Sequence, residues 1–313
     1  VSLAVCGRAI RVPFGLPLPF FRRCVIWARA HRPRGRRRGA ALGVGLVLIG
    51  LALGAAAYPG VVRGVETLQG LASGRAWPDH TEIRILDVGQ GNAALVRTTG
   101  HHALLFDGGP AGCDLAGQLR DLGVRSLELV VISHPHADHF AGLLESLGSL
   151  RVRALVDQVE VAAAPAGEPR ASGFEGRGDG AEAARYLELR RELASDGCGY
   201  LFGRTGYSIG VDDVLVRLYV PADPLTIVDG LDPWAAEYGP PSGDELNGAS
   251  VVALVSVGGI DILLPGDAEA DVLSRYSLPQ ADMLVVPHHG SRGAVSARLL
   301  QEIRPKVAVV SVG

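Results

Sequence analysis

From Glu82 onward, short apolar runs alternate with stretches of helical period, and glycine-rich turns separate them. Glu82–Val88, Ala93–Arg97 and Ala103–Phe106 read as three successive strands. Asp114–Leu122 reads as a helix with Asp114 as its N-cap. The run Leu127–Ile132 is a buried strand that ends in a polar loop, followed by a helix over Phe140–Leu147 and a strand over Val152–Val156. Residues Ala162–Gly180 are rich in Ala, Gly, Pro and Arg and predict an irregular insertion; Ala181–Ala194 is then an amphipathic helix. A second run has strands at Val214–Val220, Ser250–Val257 and Asp261–Leu264, a helix near Ala268–Tyr276 and a strand at Met283–Val286. It closes with a helix at Ala294–Ile303 and a strand at Val307–Val312. Two strand runs, each ending in helices, predict two sheets face to face with helices outside.

Upstream the pattern changes. Residues Ala40–Tyr58 hold nineteen positions without a charge. About 20 apolar residues cross a bilayer core as a helix, so a transmembrane helix is expected over 40–59. Arg29, Arg32, Arg34, Arg36, Arg37 and Arg38 lie just before it, which orients that flank to the cytoplasm and all that follows to the outside. A signal peptide, cleaved near Ala55-Ala56-Ala57, and a buried soluble helix are the competing readings. Val12–Ala30, apolar but broken by prolines and arginines, reads as the tail of another membrane or interfacial segment. The sole Met is Met283 and the sequence stops directly after a strand, so both ends are expected to be provisional.

Charge sharpens this division. Residues 1–60 carry ten Arg and no Asp or Glu, so the net charge of −3 separates into +10 there and −13 over 61–313. An acidic body excludes nucleic-acid binding driven by bulk charge, and any such contact has to be local. The Arg34–Arg38 cluster fits membrane orientation better than DNA binding. The four cysteines show no CxxC spacing, which excludes a zinc ribbon, while Cys113 and Cys198 are a candidate disulfide in an oxidising compartment. His101 and His102 fall in a turn and read as solvated.

The chemistry concentrates in His134-Pro135-His136-Ala137-Asp138-His139. Three imidazoles and a carboxylate in six residues offer nitrogen and oxygen ligands that suit Zn²⁺ or Mn²⁺ without a thiolate. In an extended loop residues two apart point the same way, so His134 and His136 can share one ion. Asp138 and His139, at the turn into a helix, can face a second. The loop follows a buried strand, where sites in α/β folds form.

LDVGQGNA (Leu86–Ala93), LLFDGGP (Leu104–Pro110), SHPHADHFAGL (Ser133–Leu143), LLPGD (Leu263–Asp267) and VVPHHGS (Val285–Ser291) stand in the order found in metallo-beta-lactamase-fold hydrolases. The VGQG and HHGS elements resemble the C-terminal domain of the ComEC family, membrane channel proteins of DNA uptake in natural transformation. The resemblance spans residues 80–313 and implies an α/β fold, a four-layer αββα sandwich. The expected layout is a basic, partly apolar segment over 1–39, a transmembrane helix over 40–59, a linker over 60–79 and the hydrolase domain over 80–313, truncated at its C-terminus.

The resemblance also implies a site. His134 and His136 would hold one metal, and Asp138, His139 and His288 the other, with His289 as the alternative to His288. Asp267 would bridge the two ions, or else cap the helix after it. Asp138 and Asp267 are the carboxylates expected to act in catalysis. Asp107 would orient the His loop, and Asn247, Ser250 and Ser291 would stand behind the ligands; Asn247 and Ser250 serve equally well as turn caps. Two departures from the pattern stand out: no histidine lies between His139 and His288, and Asn92 replaces the more usual Asp.

Two divalent ions, Zn or Mn, can activate water at neutral pH and stabilise both attacking and leaving oxygens of a phosphodiester. The expected function is a phosphodiesterase or nuclease that acts on single-stranded DNA during uptake. It would be held in the cell membrane by residues 40–58, outside the cytoplasm, alongside other uptake components. The alternatives are hydrolysis of small phosphodiesters such as phosphocholine esters and a non-catalytic metal-binding domain gating a DNA channel.

Overall fold

The structure, a computed structural model, describes residues 2–5, 8–11, 25–29, 77–163, 179–221, 225–229 and 243–312. One eight-stranded sheet has the order β12 (Gly199–Phe202), β10 (Ala154–Asp157), β8 (Leu129–Val131), β6 (Ala103–Phe106), β5 (Ala94–Arg97), β4 (Glu82–Ile85), β1 (Ser2–Val5), β2 (Arg8–Arg11). A seven-stranded sheet has the order β13 (Ser208–Val211), β14 (Val214–Tyr219), β16 (Val252–Val257), β17 (Ile260–Leu264), β18 (Met283–Val285), β19 (Val307–Val312), β3 (Val25–Arg29). Two short pairs complete the strands: β7 (Ser126–Leu127) with β9 (Arg151–Val152), and β11 (Val159–Ala163) with β15 (Leu225–Asp229).

Alternation along these strands builds the layers. Ile83, Val96, Leu104, Phe106, Val131 and Val156 meet Val216, Ala253, Val255, Ile262 and Val285 in the core between the sheets. Their neighbours in sequence, among them Leu95, Leu105, Val130 and Leu155, turn outward onto α1 (Leu115–Asp121), α2 (Ala137–Ser146) and α3 (Asp179–Ser195). On the far side Val252, Leu254, Leu263 and Leu284 pack under α5 (Ala270–Leu273) and α6 (Ala297–Ile303). The result is the expected helix–sheet–sheet–helix sandwich. The central strands of both sheets are covered on both faces, which explains why β8 and β16 read as apolar runs rather than alternations. Phe140 and Tyr186 make an edge-to-face contact (ring centroids 5.0 Å apart) that clamps α2 to α3, one residue past the His loop.

Several details differ from the sequence expectations. α2 begins at Ala137, so Asp138 and His139 lie within its first turn. The helix expected over Ala268–Tyr276 shrinks to Ala270–Leu273. β12, β13, β15 and α4 (Gly243–Gly248) were not anticipated. Within the stretch read as a membrane tail, Val25–Arg29 forms a strand paired in parallel with β19. The Ala40–Tyr58 run lies outside the described residues, as does most of the 60–79 linker and of the Ala162–Gly180 insertion. Among the described residues no helix is long and apolar enough to cross a membrane. Cys113 and Cys198 are free thiols, not a disulfide.

Candidate metal centre

Four strand ends deliver the site. β6 stops at Phe106, and Asp107 takes a left-handed backbone (φ 58°) that turns its carboxylate back toward β8. There Oδ1 accepts the Ser133 N–H (2.7 Å), while Oδ2 accepts the Ser133 hydroxyl (3.0 Å) and His139 Nδ1–H (2.9 Å). After β8 the chain stays extended to His136, and α2 starts. The backbone N–H of Ala137 is met by Glu182 of α3 (3.2 Å) rather than by a capping side chain of its own segment. The Asn92 N–H donates to the Asp138 carbonyl (3.3 Å) and Gly108 N–H to that of His139, so two neighbouring turns grip this first turn of helix. After β17, Gly266 (φ +58°) passes so near β8 that a Cβ there would lie 2.5 Å from Ser133 Cβ. Glycine is required by this approach as well as by the φ.

Asp267 then stands among three imidazoles. Its Oδ1 is 3.3 Å from His139 Nε2, and its Oδ2 is 3.9 Å from both His134 Nε2 and His289 Nε2. Its backbone N–H donates to Ser250 Oγ (3.2 Å). It does not cap the next helix, whose N-cap is Glu269. His289 Nε2 is 3.2 Å from Asp138 Oδ2, and its Nδ1 faces the Ser311 carbonyl (3.2 Å). Ligand atoms of His134, His139 and Asp267 lie within 4.8 Å of one another, as do those of Asp138, His139 and His289. His136 joins neither trio but approaches His134, with its Nδ1 2.8 Å from His134 Nε2.

This placement favours the alternative, His289, over His288. His288 and His289 both have left-handed backbones (φ 46° and 52°), which sends consecutive side chains apart. His288 Nδ1 bonds Glu269 Oε1 (2.8 Å), and Ser291 donates its hydroxyl to the same oxygen. Asn247 sits 3.5 Å from His288 Nε2. Ser291 and Asn247 therefore surround His288, outside the trios. Ser250 alone of the Asn-x-x-Ser pair reaches the imidazole cluster, 3.3 Å from His134 Nδ1.

The electrostatics divide two buried imidazoles. His134 lies well below the ordinary histidine pKa, first because burial disfavours its charge and then because His139 repels it. Its Nδ1 meets only the hydroxyls of Ser133 (3.0 Å) and Ser250. Since Ser133 donates to Asp107, its oxygen accepts from His134 Nδ1–H, which leaves the Nε2 lone pair facing the cluster. For His139 burial also works against charge, but Asp107 and Asp267 outweigh it and raise the pKa well above the ordinary value. Burial pushes Asp138 up, yet the His289 hydrogen bond and the His139 charge bring it down to about 2. Asp267 is likewise held far below the usual carboxylate range against its burial, chiefly by His139.

Two atoms at the centre, His139 Nε2 and Asp267 Oδ1, are buried without a hydrogen-bond partner. Unsatisfied buried polar atoms are costly, and a cation between them removes that penalty. With nitrogen and carboxylate donors and no thiolate, the residues fit a divalent ion. No motif marks Glu182, Glu269 or Ser311, which act on the site from α3, the β17 loop and β19. Ser133 stood inside the SHPHADH motif but was not singled out.

Residues 86–313 match the model of the Metallo-beta-lactamase superfamily. The chain belongs to that superfamily. It is 27% identical over 239 residues to competence protein ComA of Neisseria gonorrhoeae, covering 74% of this chain and 27% of ComA. It is 35% identical over 71 residues to ComE operon protein 3 of Bacillus subtilis, covering 21% of this chain and 9% of that protein. The chain thus spans about a quarter or less of these relatives. Among solved structures, the metallo-beta-lactamase fold protein YhfI of Bacillus subtilis aligns over 73% of this chain and 83% of its own, at 12% identity and a TM-score of 0.43. Divalent-metal binding and hydrolase chemistry follow from the superfamily at the level of class.

Proposed function

We propose that this domain is a metal-dependent phosphodiesterase that cuts a DNA strand during uptake. The observation that carries the reading is the pair of buried, partnerless atoms on His139 and Asp267, set between two ligand trios on a chain similar to a competence protein. His134, His139 and Asp267 would hold one ion, with His136 beside His134; Asp138, His139 and His289 would hold the other. Bound Zn²⁺ or Mn²⁺ would supply an activated water and offset charge on the phosphodiester. Asp107 and Ser133 fix which nitrogen of His139 and His134 carries the proton, so that the other faces the ions. The domain would work outside the cytoplasm, tied to the membrane through residues 40–58.

The test is metal analysis of the chain together with cleavage of single-stranded DNA in Mn²⁺ and in Zn²⁺. Bound metal and cleavage that disappears in His134→Ala and Asp267→Ala are expected. Cleavage that survives both substitutions would refute the assignment. Turnover of small phosphodiesters without DNA cleavage would move the substrate class, and stoichiometric metal without any turnover would leave a scaffold that gates a channel.

A further inference from the structure

Among the described residues β12 is the edge strand of the larger sheet, and a five-residue turn carries the chain from Phe202 to β13, an edge strand of the other sheet. Among the described residues no further strand pairs with either edge. Instead of being blunted by lysines or prolines, this side presents aromatic rings. Tyr200 is 45% exposed, Leu201 38% and Tyr207 39%, the largest exposed apolar side chains of this part of the molecule. In the β10–β12 register Tyr200 sits beside Leu155 and Leu201 beside Val156, so Tyr200 and Phe202 look to the helical side. There the Arg190 guanidinium of α3 stacks over Tyr200 (4.2 Å from its centroid), and exposed Arg204 lies over Phe202 (5.9 Å). Tyr200 is fixed in place: its hydroxyl donates to buried Asp157 (2.7 Å), which also accepts Tyr186 OH (2.6 Å).

The direction of the strands connects this edge to the metal centre. β8, β10 and β12 run parallel, so Phe202, Asp157 and the His loop after Val131 leave the same end of the sheet. Two strand spacings, about 10 Å, separate the β12 end from the β8 end. The Arg204–Tyr207 turn closes that same end, with Tyr207 N–H on the Arg204 carbonyl (3.1 Å).

We propose that this edge, where Tyr200, Phe202 and Tyr207 stand with exposed Arg204, is a track for single-stranded nucleic acid leading into the ligand cluster; Arg190, held by the Val159 carbonyl (2.6 Å) and Asp157 (3.6 Å), backs one face of Tyr200 and leaves Arg204 to meet phosphate. Exposed aromatic faces beside guanidinium groups are what a sequence-independent single-strand site needs, since every base can stack and every phosphate can be met. The rest of the domain is acidic, so a phosphate backbone is attracted only where cations are concentrated. The inference rests on the phosphodiester reading above and specifies where its strand would lie.

The experiment is fluorescence anisotropy of labelled oligothymidylate with the full chain in EDTA, where no cleavage occurs, followed by cleavage kinetics in Mn²⁺. Tyr200→Ala and Tyr207→Ala are each expected to weaken binding roughly five- to a hundredfold, the size of a lost base stack. Tyr200→Phe, which keeps the ring and loses the bond to Asp157, should bind as the wild type does; a purely structural role for Tyr200 would make it fail. Arg204→Glu should weaken binding and flatten its salt dependence, whereas Arg298→Ala, which removes a charge from α6, should not. In cleavage the edge variants should raise KM and spare kcat. If Tyr207→Ala and Arg204→Glu bind like the wild type while DNA is still cleaved, the track is wrong and the phosphodiester reading stands. A wild-type chain with no affinity for oligothymidylate overturns both.

Discussion

Two His–Asp pairs of this domain have the same 2.9 Å separation and opposite meanings. At one end of the sandwich His139 Nδ1 bonds Asp107; at the other His102 Nδ1 bonds Asp212, which reaches from the β13–β14 turn to the β5–β6 turn. The His139 and Asp107 side chains are 0% and 7% exposed, those of His102 and Asp212 43% and 26%. Asp212 is satisfied by Thr98 and His102, and among the described residues it is the carboxylate paired with that imidazole. His139 is pulled by three carboxylates, those of Asp107, Asp267 and Asp138, and its Nε2, although 3.3 Å from Asp267 Oδ1, makes no hydrogen bond. Distance alone does not distinguish a ligand from a surface clasp. Burial combined with an unmet atom does.

The comparison breaks most sharply if the two carboxylates behave alike. Asp267→Ala is expected to lower phosphodiester turnover by on the order of 10³ or more, since metal-borne charge stabilisation is worth several kcal/mol. Metal content measured on the same preparation should fall with it. Asp107→Asn keeps a side chain of the same shape but loses the charge that orients His139, and should weaken metal binding about 10- to 100-fold. Equal metal affinity in wild type and Asp107→Asn would mean that the His139 contact is as incidental as that of His102. His289→Ala should remove metal, while His288→Ala, whose imidazole faces Glu269, should leave the stoichiometry unchanged.

Much of this arrangement was legible in the chain, and the exceptions have physical reasons. Ala103–Phe106 reads to the residue because both faces of the strand are covered and its apolar run is unbroken, and Val307–Val312 because its valine-rich apolar run is broken only by Ser311. The His loop was readable because its ligands are neighbours in sequence. His288 and His289 could not be told apart, because their directions depend on two successive left-handed residues that spacing does not encode. β12 and β13 are hard to read because each is four residues long with glycine within it or at its start, and as edge strands they bury little. α4 carries the polar sequence GDELNG, with no helical stripe to find. Asn92 contributes its backbone to the grip on Asp138 and Gly109, a task that does not depend on whether Asn or Asp supplies it.

The pairs should also differ in their response to pH. In the metal-free domain Asp107 and Asp267 raise the His139 pKa, so near neutrality its Nε2 holds a proton that an incoming cation has to displace. Metal affinity should therefore increase with pH, by about tenfold per unit for one released proton, and level off above the raised pKa. Calorimetry in buffers of different ionisation enthalpy measures that proton. An affinity independent of pH would show that Nε2 is already free, contrary to the charge balance of the cluster.

The smallest effect belongs to the clasp. Asp212 is held below the ordinary carboxylate pKa by its hydrogen bonds to Thr98 and His102. A depressed folded-state pKa stabilises the fold above the unfolded value and loses that contribution as pH falls through the folded one, so the clasp weakens only in acid. At neutral pH an exposed pair of this kind contributes about 0.2–1 kcal/mol. Asp212→Asn should accordingly lower Tm by no more than about 2–4 °C for a domain of this size. The residue also sits where a left-handed backbone (φ 51°) is required, which Asn tolerates as well as Asp, so the substitution tests the carboxylate and not the turn. Metal content and turnover should not change. A large loss of metal in Asp212→Asn would mean that the two ends of the sandwich are coupled through the sheets, and that burial does not isolate the His139 pair as its geometry indicates.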